Sequence, residues 1–213
     1  MLKLRDREIL RWIEEYKLLT IRQASILFFN GSYEGARRRL FQLDHDFGKI
    51  KAYKLKENDN KVYYISKKST YHDVLCMDYV AELKRNGCEI IKIKRQPHYM
   101  NNLIIPDMYV VFSYKEQVYF TLLELDLYHS TPMTKFQRYE ELYKSQELQM
   151  ENYGQFPILV IAKDNITTKY NSNNFDCIYT DLEYSTISTL LLYYLFSPYC
   201  KILSFYLIYK MGV

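Results

Sequence analysis

Residues 20–43 read TIRQASILFFNGSYEGARRRLFQL, and this stretch decides the fold of the first part of the chain. Thr20 is followed three residues later by Gln23, which is the spacing of a capping box at the start of a helix. Asn30-Gly31 is a strong turn signal, and Ser32 after it is a favoured N-cap. The stretch therefore predicts two helices joined by one sharp turn.

The flanking sequence adds a helix before this pair and a hairpin after it. Arg5 to Tyr16 carries apolar residues at helical spacing. Ile50 to Leu55 and Val62 to Ser66 alternate like strands, with a polar turn predicted at residues 57–60 between them. Three helices followed by a lysine-bearing hairpin are typical of a winged helix-turn-helix, which we predict for residues 1–68.

Charge divides the chain at the same place. Residues 1–68 hold 16 Lys and Arg against 9 Asp and Glu, a net charge of +7. Residues 69–213 hold 13 basic and 16 acidic residues, a net charge of −3. A basic first domain on a mildly acidic remainder indicates a nucleic-acid partner. The alternative is a winged helix used for protein contacts, with its arginines as a solvated face.

The third predicted helix, Tyr33 to Leu43, contains three consecutive arginines. Three neighbours on a helix span about 300°, so they do not all point into one groove of DNA. We expect one or two to face DNA and one to reach sideways to a phosphate or a carboxylate. The predicted contacts to double-stranded DNA are Tyr33, Arg37, Arg38 and Arg39 from the helix, and Lys51, Lys54 and Lys56 from the hairpin, the lysines through phosphates.

The second part of the chain alternates helix and strand patterns. We predict a helix over 71–85, strands over 89–94, 104–113 and 117–127, a long helix over 134–151, and strands over 156–162 and 176–180. The order of helix, three strands, helix and strand predicts a mixed-sheet α/β domain over residues 69–213. The whole chain is then of the α+β class, with a second domain that ends in an apolar helical tail.

That tail, residues 187–209, is nearly free of charge and long enough to span a bilayer. Pro198 and Lys201 interrupt it, and a charge near a membrane centre costs about 3 kcal/mol. A buried helix pair or an oligomer contact is therefore the preferred interpretation, and a membrane-tethered regulator is the alternative. The four cysteines are scattered without a CxxC pair, and the first residues are charged, so we expect a reducing cytoplasm.

Several short motifs in the second domain resemble those of a known nuclease fold. The element order, with Pro106-Asp107 at one strand and Glu124 to Asp126 on the next, resembles the PD-(D/E)xK nuclease fold. The wider set of motifs is Pro106-Asp107, Leu123 to Asp126, Lys135 and Tyr139. Together with Thr20 to Phe28 and residues 36–40, they are similar to the replication-relaxation family of plasmids and mobile elements. The resemblance covers roughly residues 4–162. It implies a DNA-binding accessory protein of plasmid replication, conjugative transfer or their transcriptional control, with replication or transfer proteins as further partners.

The resemblance also defines a candidate catalytic set. Asp107 and Glu124 would hold Mg²⁺, which takes oxygen ligands, and Glu124 and Asp126 share a strand face. The lysine of the pattern is missing two residues after Glu124, so Lys135 is the substitute, and Glu82 is a further acid. In the alternative, Asp107 caps a turn and the carboxylates pair with Lys135 and Arg138 in an inactive scaffold, which we favour. DNA binding itself requires no cofactor.

Other catalytic signatures are missing from the sequence. There is no GxxxxGK[ST] phosphate loop and no GxSxG nucleophile motif, and the four histidines are far apart. We therefore expect a double-stranded DNA-binding regulator or accessory protein, with a metal-dependent nuclease or nickase as the alternative. We also expect a homodimer, because one winged helix makes few DNA contacts and paired half-sites raise specificity.

Overall fold

The computed structural model of this chain describes residues 1–56, 60–127, 131–165, 169–189 and 191. The described residues form an α+β structure in which helices accompany one small and one larger sheet. Contacts divide the chain into two compact units, Met1–Arg85 and Asn86–Val213. Each unit has its own sheet, and each is described separately below.

The first unit contains four helices. They are α1 (Leu4–Tyr16), α2 (Ile21–Phe28), α3 (Tyr33–His45) and α4 (Tyr71–Arg85). The capping box at the start of α2 is present, because Gln23 N donates to Thr20 Oγ1 at 3.1 Å and Thr20 N donates to Gln23 Oε1 at 3.0 Å. Ser32 Oγ accepts from Gly35 N at 3.2 Å at the start of α3. The two predicted caps therefore begin the helices where the sequence placed them.

The hairpin strands are β2 (Lys51–Lys54) and β3 (Lys61–Tyr64), and they pair with a short strand β1 (Leu19–Thr20) that the sequence did not predict. The sheet order is β1-β3-β2, and all pairs are antiparallel. This sheet closes a core whose buried members are Ile9, Ile13, Leu19, Ala24, Ala36, Leu40, Leu43, Ile50 and Tyr63. The core fixes α3 beside the hairpin.

Helix α4 belongs to the first unit, so the division falls after Arg85 and later than the 68/69 boundary expected from the sequence. It packs against α2. Gln23 Nε2 donates to Val74 O at 3.1 Å and to Asp78 Oδ1 at 2.9 Å. These bonds between α2 and α4 explain why residues 71–85 join the N-terminal unit.

The second unit is built on a mixed five-stranded sheet. Its strands are β4 (Glu89–Arg95), β5 (Met108–Tyr114), β6 (Gln117–Asp126), β7 (Ile158–Lys163) and β8 (Cys177–Thr180), in that spatial order. The pairs β4–β5 and β5–β6 are antiparallel, while β6–β7 and β7–β8 are parallel. The predicted strand over 104–113 begins later, at Met108, because Ile104 instead forms an isolated bridge with Tyr99.

The predicted helix over 134–151 is two helices, α5 (Met133–Ser145) and α6 (Glu147–Glu151). Gln146 has φ 60°, in the left-handed region, and this breaks the helix there. Phe136, Tyr139 and Leu142 of α5 join Phe120 and Leu122 of β6 in one buried cluster. One face of the sheet is therefore covered by α5.

Parts of two sequence predictions lie outside the described residues. They are most of the hairpin turn at 57–60 and nearly all of the apolar tail at 187–209. None of the helices among the described residues combines the length and apolar character needed to cross a bilayer.

Candidate functional site

The exposed surface of α3 carries two of the three arginines. The side chain of Arg37 is 56% exposed, and Arg38 is exposed beside it. Arg37 binds Glu34 in the first turn of α3, with Nε to Oε2 at 3.0 Å and Nη2 to Oε2 at 2.8 Å. Tyr33, at the N-terminus of α3, is 51% exposed. These side chains are presented from the helix turns that recognition helices use for base edges.

A concave surface of about 560 Å³ lies between α3 and the hairpin, and we call it the α3–hairpin groove. Arg37, Arg38 and Lys61 are its cationic lining residues, and Asp46 is the acidic one among the described residues that line it. Its remaining lining residues are Ile21, Phe41, Gln42 and Tyr63. A groove lined mainly by cations among its charged residues suits a polyanion.

The hairpin register separates the predicted lysines. Lys54 lies directly opposite Lys61, on the strand face shared with Tyr63 of the groove. Lys51 lies opposite Tyr64, on the other face. Lys56 is exposed where the described part of the hairpin ends. The register therefore places Lys54 and Lys61 on the groove side of the hairpin and Lys51 on the opposite side.

Arg39 has a different environment from its neighbours. Its Nε donates to Asp6 Oδ1 at 2.7 Å, Nη2 contacts Asp6 Oδ2, and Nη1 donates to Gln42 Oε1 at 2.6 Å. Asp6 is fully buried, and the hydrogen bond from Arg39 lowers the pKa of its carboxyl group below the ordinary value. Arg39 thus reaches a carboxylate on another helix, which is the sideways contact expected for one of the three arginines. Arg39 therefore ties α3 to α1 and has little left to offer a ligand.

In the second unit, the structure brings Asp107 and Glu124 together. Asp107 N donates to Leu123 O at 3.0 Å, and Leu125 N donates to Asp107 Oδ2 at 2.8 Å, so the Asp107 carboxylate lies beside the strand that carries Glu124. The charge of Asp107 also raises the pKa of Glu124. Sequence spacing alone does not establish this convergence.

Glu124 is 2% exposed, and both of its carboxylate oxygens are engaged. Oε2 accepts from Lys135 Nζ at 2.5 Å, and Oε1 accepts from Tyr139 OH. Burial raises the pKa of Glu124 to about 7, although Lys135 opposes the shift. Burial also raises the pKa of Tyr139 well above its usual value. The ion pair expected for a scaffold, between Lys135 and Glu124, is present.

Asp126 is also occupied. Its Oδ2 accepts from Thr131 N at 2.8 Å, and its Oδ1 accepts from Thr131 Oγ1 at 2.5 Å. These bonds hold Thr131, which lies just before the start of α5. Among the described residues, there is no group of three or more His, Cys, Asp and Glu side chains that could hold a metal ion. A metal at Asp107 and Glu124 would have to displace Lys135 and Tyr139 from a carboxyl group with a pKa near 7. In this arrangement, both oxygens of Glu124 are used by protein donors.

Lys163 is a residue that the sequence reasoning missed. It is buried at the end of β7, opposite Asp126 in the parallel register, and its Nζ lies 5.4 Å from the centre of the Tyr179 ring. The sequence feature that could have revealed it is that a lysine directly follows the apolar run of residues 156–162. Glu82, expected as a further acid, lies in the first unit and forms ion pairs with Arg22 and Arg85. It therefore holds α2 and α4 together.

Comparison of this chain with protein-family models, with curated proteins and with solved structures finds no match.

Proposed function

We propose that this chain binds double-stranded DNA through its first unit, which we interpret as a winged helix-turn-helix. The observation that carries the proposal is the α3–hairpin groove, where exposed Arg37 and Arg38 stand beside Lys61. Three helices followed by an antiparallel hairpin, packed on one core, support the fold interpretation. In the proposed complex α3 enters the major groove and the hairpin lysines contact phosphates.

The groove favours DNA over a protein partner for electrostatic reasons. Among the described residues that line it, three of the four charged ones are the surface cations Arg37, Arg38 and Lys61. A partner with regularly spaced negative charges is attracted along the whole groove, whereas a typical protein surface carries mixed charges. We therefore rank the protein-interaction interpretation second.

The biological role that we propose follows from the resemblance in sequence. It is an accessory or regulatory role at an origin, transfer site or promoter of a mobile element, in the cytoplasm. The second unit would then be a PD-(D/E)xK-like scaffold that does not cut DNA, because its carboxylates are engaged with Lys135, Tyr139 and Thr131. We further propose a homodimer, since paired half-sites multiply the few contacts that one winged helix makes.

Fluorescence anisotropy with a labelled mixed-sequence duplex tests the main proposal. We expect binding whose log affinity falls linearly with log salt concentration, with a slope of about −0.9 for each phosphate contacted. A single strand of the same sequence should bind more weakly. No binding at low salt, or binding that salt leaves unchanged, would contradict the proposal. Light scattering of the purified protein, alone and with DNA, tests the dimer.

The second candidate function is metal-dependent cleavage of DNA. One observation favours it, namely that Asp107 lies beside Glu124, with Lys135 bound to the latter. It requires Lys135 and Tyr139 to release Glu124. Incubation of supercoiled plasmid with the protein and Mg²⁺ or Mn²⁺, beside the Glu124→Ala variant, decides between the candidates. Nicking by the natural protein that the variant lacks would establish the nuclease, and intact plasmid in both would support the scaffold.

A further inference from the structure

A second concave surface lies in the first unit, away from the hairpin residues. It has a volume of about 630 Å³ and lies between the N-terminus of α1 and helix α3, and we call it the α1–α3 concavity. Its basic lining residues are Lys3, Arg5, Arg38 and Arg39. The predicted DNA contacts did not include Lys3 or Arg5.

The charge of this concavity is strongly positive. Asp6 is the acidic residue among the described residues that line it, and it is buried in its ion pair with Arg39. That pair is neutral as a whole. Lys3, Arg5 and Arg38 are exposed. The described lining residues therefore include four cations and one carboxylate, and Glu34 is a further acid next to Arg38 outside the lining.

Two of the cations, Arg5 and Arg38, have contacts that order their guanidinium groups. The Arg5 guanidinium lies 4.6 Å from the centre of the Phe29 ring, and the backbone N of Lys3 donates to Asp6 Oδ2 at 2.6 Å, which fixes the backbone at Lys3. Arg38 Nε approaches the backbone oxygen of Glu34 at 3.4 Å. Because Asp6 is in turn bound by Arg39, the start of α1 is fastened to α3. Ordered cations lose less conformational entropy when they bind an anion.

Arg38 connects the two concave surfaces, since it lines both of them. A chain of phosphates that passes through the α3–hairpin groove meets Arg38 and then the α1–α3 concavity. We infer that the α1–α3 concavity binds a DNA backbone phosphate through Lys3, Arg5 and Arg38, so that the interface extends beyond α3 and the hairpin to the start of α1. This inference rests on the proposed DNA binding and adds a contact site to it.

The test compares two variants that lose the same charge from the same helix. Lys3→Gln/Arg5→Gln removes two of the four cations that line the concavity, whereas Arg7→Gln/Arg11→Gln removes two exposed cations of α1 that do not line it. Each is titrated against a mixed-sequence duplex several helical turns long, over a range of salt concentrations. Circular dichroism and thermal unfolding confirm that both variants fold.

We expect Lys3→Gln/Arg5→Gln to weaken binding about tenfold and to make the salt slope shallower by about 0.9 for each phosphate that the variant no longer neutralises. The Arg7→Gln/Arg11→Gln control should stay within about twofold of the natural protein, because general attraction alone is reduced. Equal behaviour of the two variants would overturn the inference and leave the proposed function standing. Absence of duplex binding by the natural protein would overturn both.

A further arm uses a free anion as a competitor. Chloride is replaced by inorganic phosphate at equal ionic strength, and duplex binding is measured again. Equal binding in the two salts supports a site for the DNA backbone. Inhibition by inorganic phosphate that disappears in Lys3→Gln/Arg5→Gln would place the competition in the concavity and support the inference, whereas inhibition of equal size in both proteins would place it elsewhere and overturn the inference.

Discussion

The two units of this protein treat their charged side chains in opposite ways. In the first unit, Arg37 and Arg38 stand on the surface of α3, and the acceptors that hold them belong to the same helix. In the second unit, Glu124 is buried, and a lysine and a tyrosine from α5 use its two oxygens. The first arrangement is open to a large ligand, and the second is closed on itself.

This difference ranks the candidate functions. An exposed guanidinium binds a phosphate or a base without first breaking a buried contact. Glu124 would have to be released by both Lys135 and Tyr139 before it could serve as a metal ligand, and breaking each contact costs free energy in a buried site. DNA binding therefore needs no rearrangement, whereas catalysis needs one.

The same contrast occurs within α3, between neighbouring arginines. Arg37 and Arg38 are exposed, while the side chain of Arg39 is 17% exposed and faces the buried Asp6. One residue along a helix is a rotation of about 100°. Adjacent arginines thus serve different purposes, and substitutions at the three positions separate binding from stability.

The largest effect is expected for Arg37→Ala/Arg38→Ala. Loss of two exposed arginines from the proposed reading face should weaken duplex binding on the order of 300-fold, because each good arginine contact to a base discriminates strongly. Anisotropy titration measures the change, and thermal unfolding should be almost unaltered. Arg7→Ala/Arg11→Ala, with the same loss of charge on α1, is the matched control. Unchanged DNA binding by Arg37→Ala/Arg38→Ala would reject α3 as the reading helix.

Arg39→Met should instead act on stability. It leaves the Asp6 carboxylate buried without its cation, and this should lower the free energy of unfolding by about 3 kcal/mol, near the lower end for a broken buried pair because Arg39 keeps some contact with water. Urea unfolding measures this value. Arg38→Met is the control and should unfold near the midpoint of the natural protein. Equal destabilisation by both substitutions would contradict the distinction between them.

The Asp6 pair also predicts how acid affects the first unit. Because the pKa of Asp6 is lower in the folded protein than its ordinary value of 3.8, its contribution to stability is present above that value. It declines as the pH falls toward the folded-state pKa. The loss on Arg39→Met should therefore shrink in strongly acidic solution.

Glu124→Gln tests the closed cluster through the pH dependence of stability. Burial raises the Glu124 pKa from its ordinary 4.5 to about 7, so the folded protein binds this proton more tightly than the unfolded chain does. The contribution to stability is therefore complete below about pH 4.5 and is lost as the pH rises through 7. Glutamine stays neutral, so the variant should gain about 2 kcal/mol relative to the natural protein between pH 5 and pH 8.

Urea unfolding at several pH values gives this difference directly. Glu141→Gln, at an exposed position on α5, controls for the loss of one negative charge. A gap between Glu124→Gln and the natural protein that does not grow with pH would show that Glu124 is ionised throughout. That result would restore it as a metal ligand and strengthen the nuclease candidate.

Much of the first unit could be predicted from sequence because its signals are local. The caps at Thr20 and Ser32 and the turn at Asn30-Gly31 act within a few residues, and they start the helices as expected. Strand patterns 89–94 and 117–127 likewise match β4 and β6 within about one residue. Short-range chemistry therefore carried most of the element prediction.

What the sequence did not reveal depends on distant contacts. Arg39 binds Asp6, which lies 33 positions earlier in the sequence. The assignment of α4 to the first unit depends on hydrogen bonds from the Gln23 side chain of α2. The opposite faces of Lys51 and Lys54 follow from strand alternation and were open to prediction. The helix break at Gln146 was not predicted, because a left-handed residue is usually signalled by glycine and glutamine rarely adopts that conformation.

The candidate sites show the same division. The residue types at Asp107, Glu124 and Lys135 were visible in the sequence, but their convergence depends on the β5–β6 register and on how α5 crosses the sheet. Lys163 ends an apolar strand, and its position beside Asp126 becomes visible only when β6 and β7 pair in parallel. Sequence gives candidates for a cluster, and the pairing of strands decides which of them meet.

The smallest expected effect concerns Glu34, the acid on the open surface. It holds Arg37 through two hydrogen bonds from Nε, at 3.2 and 3.0 Å, and one from Nη2 at 2.8 Å, and it places a negative charge on the proposed reading face. Glu34→Gln should raise affinity for mixed-sequence duplex a few-fold, because Arg37 is released and repulsion from phosphates is removed. Glu8→Gln, on the exposed surface of α1, is the control for charge alone. Weaker binding by Glu34→Gln would mean that the carboxylate itself contacts DNA, as an acceptor from a cytosine amino group does, and Arg37 and Glu34 would then read the bases together.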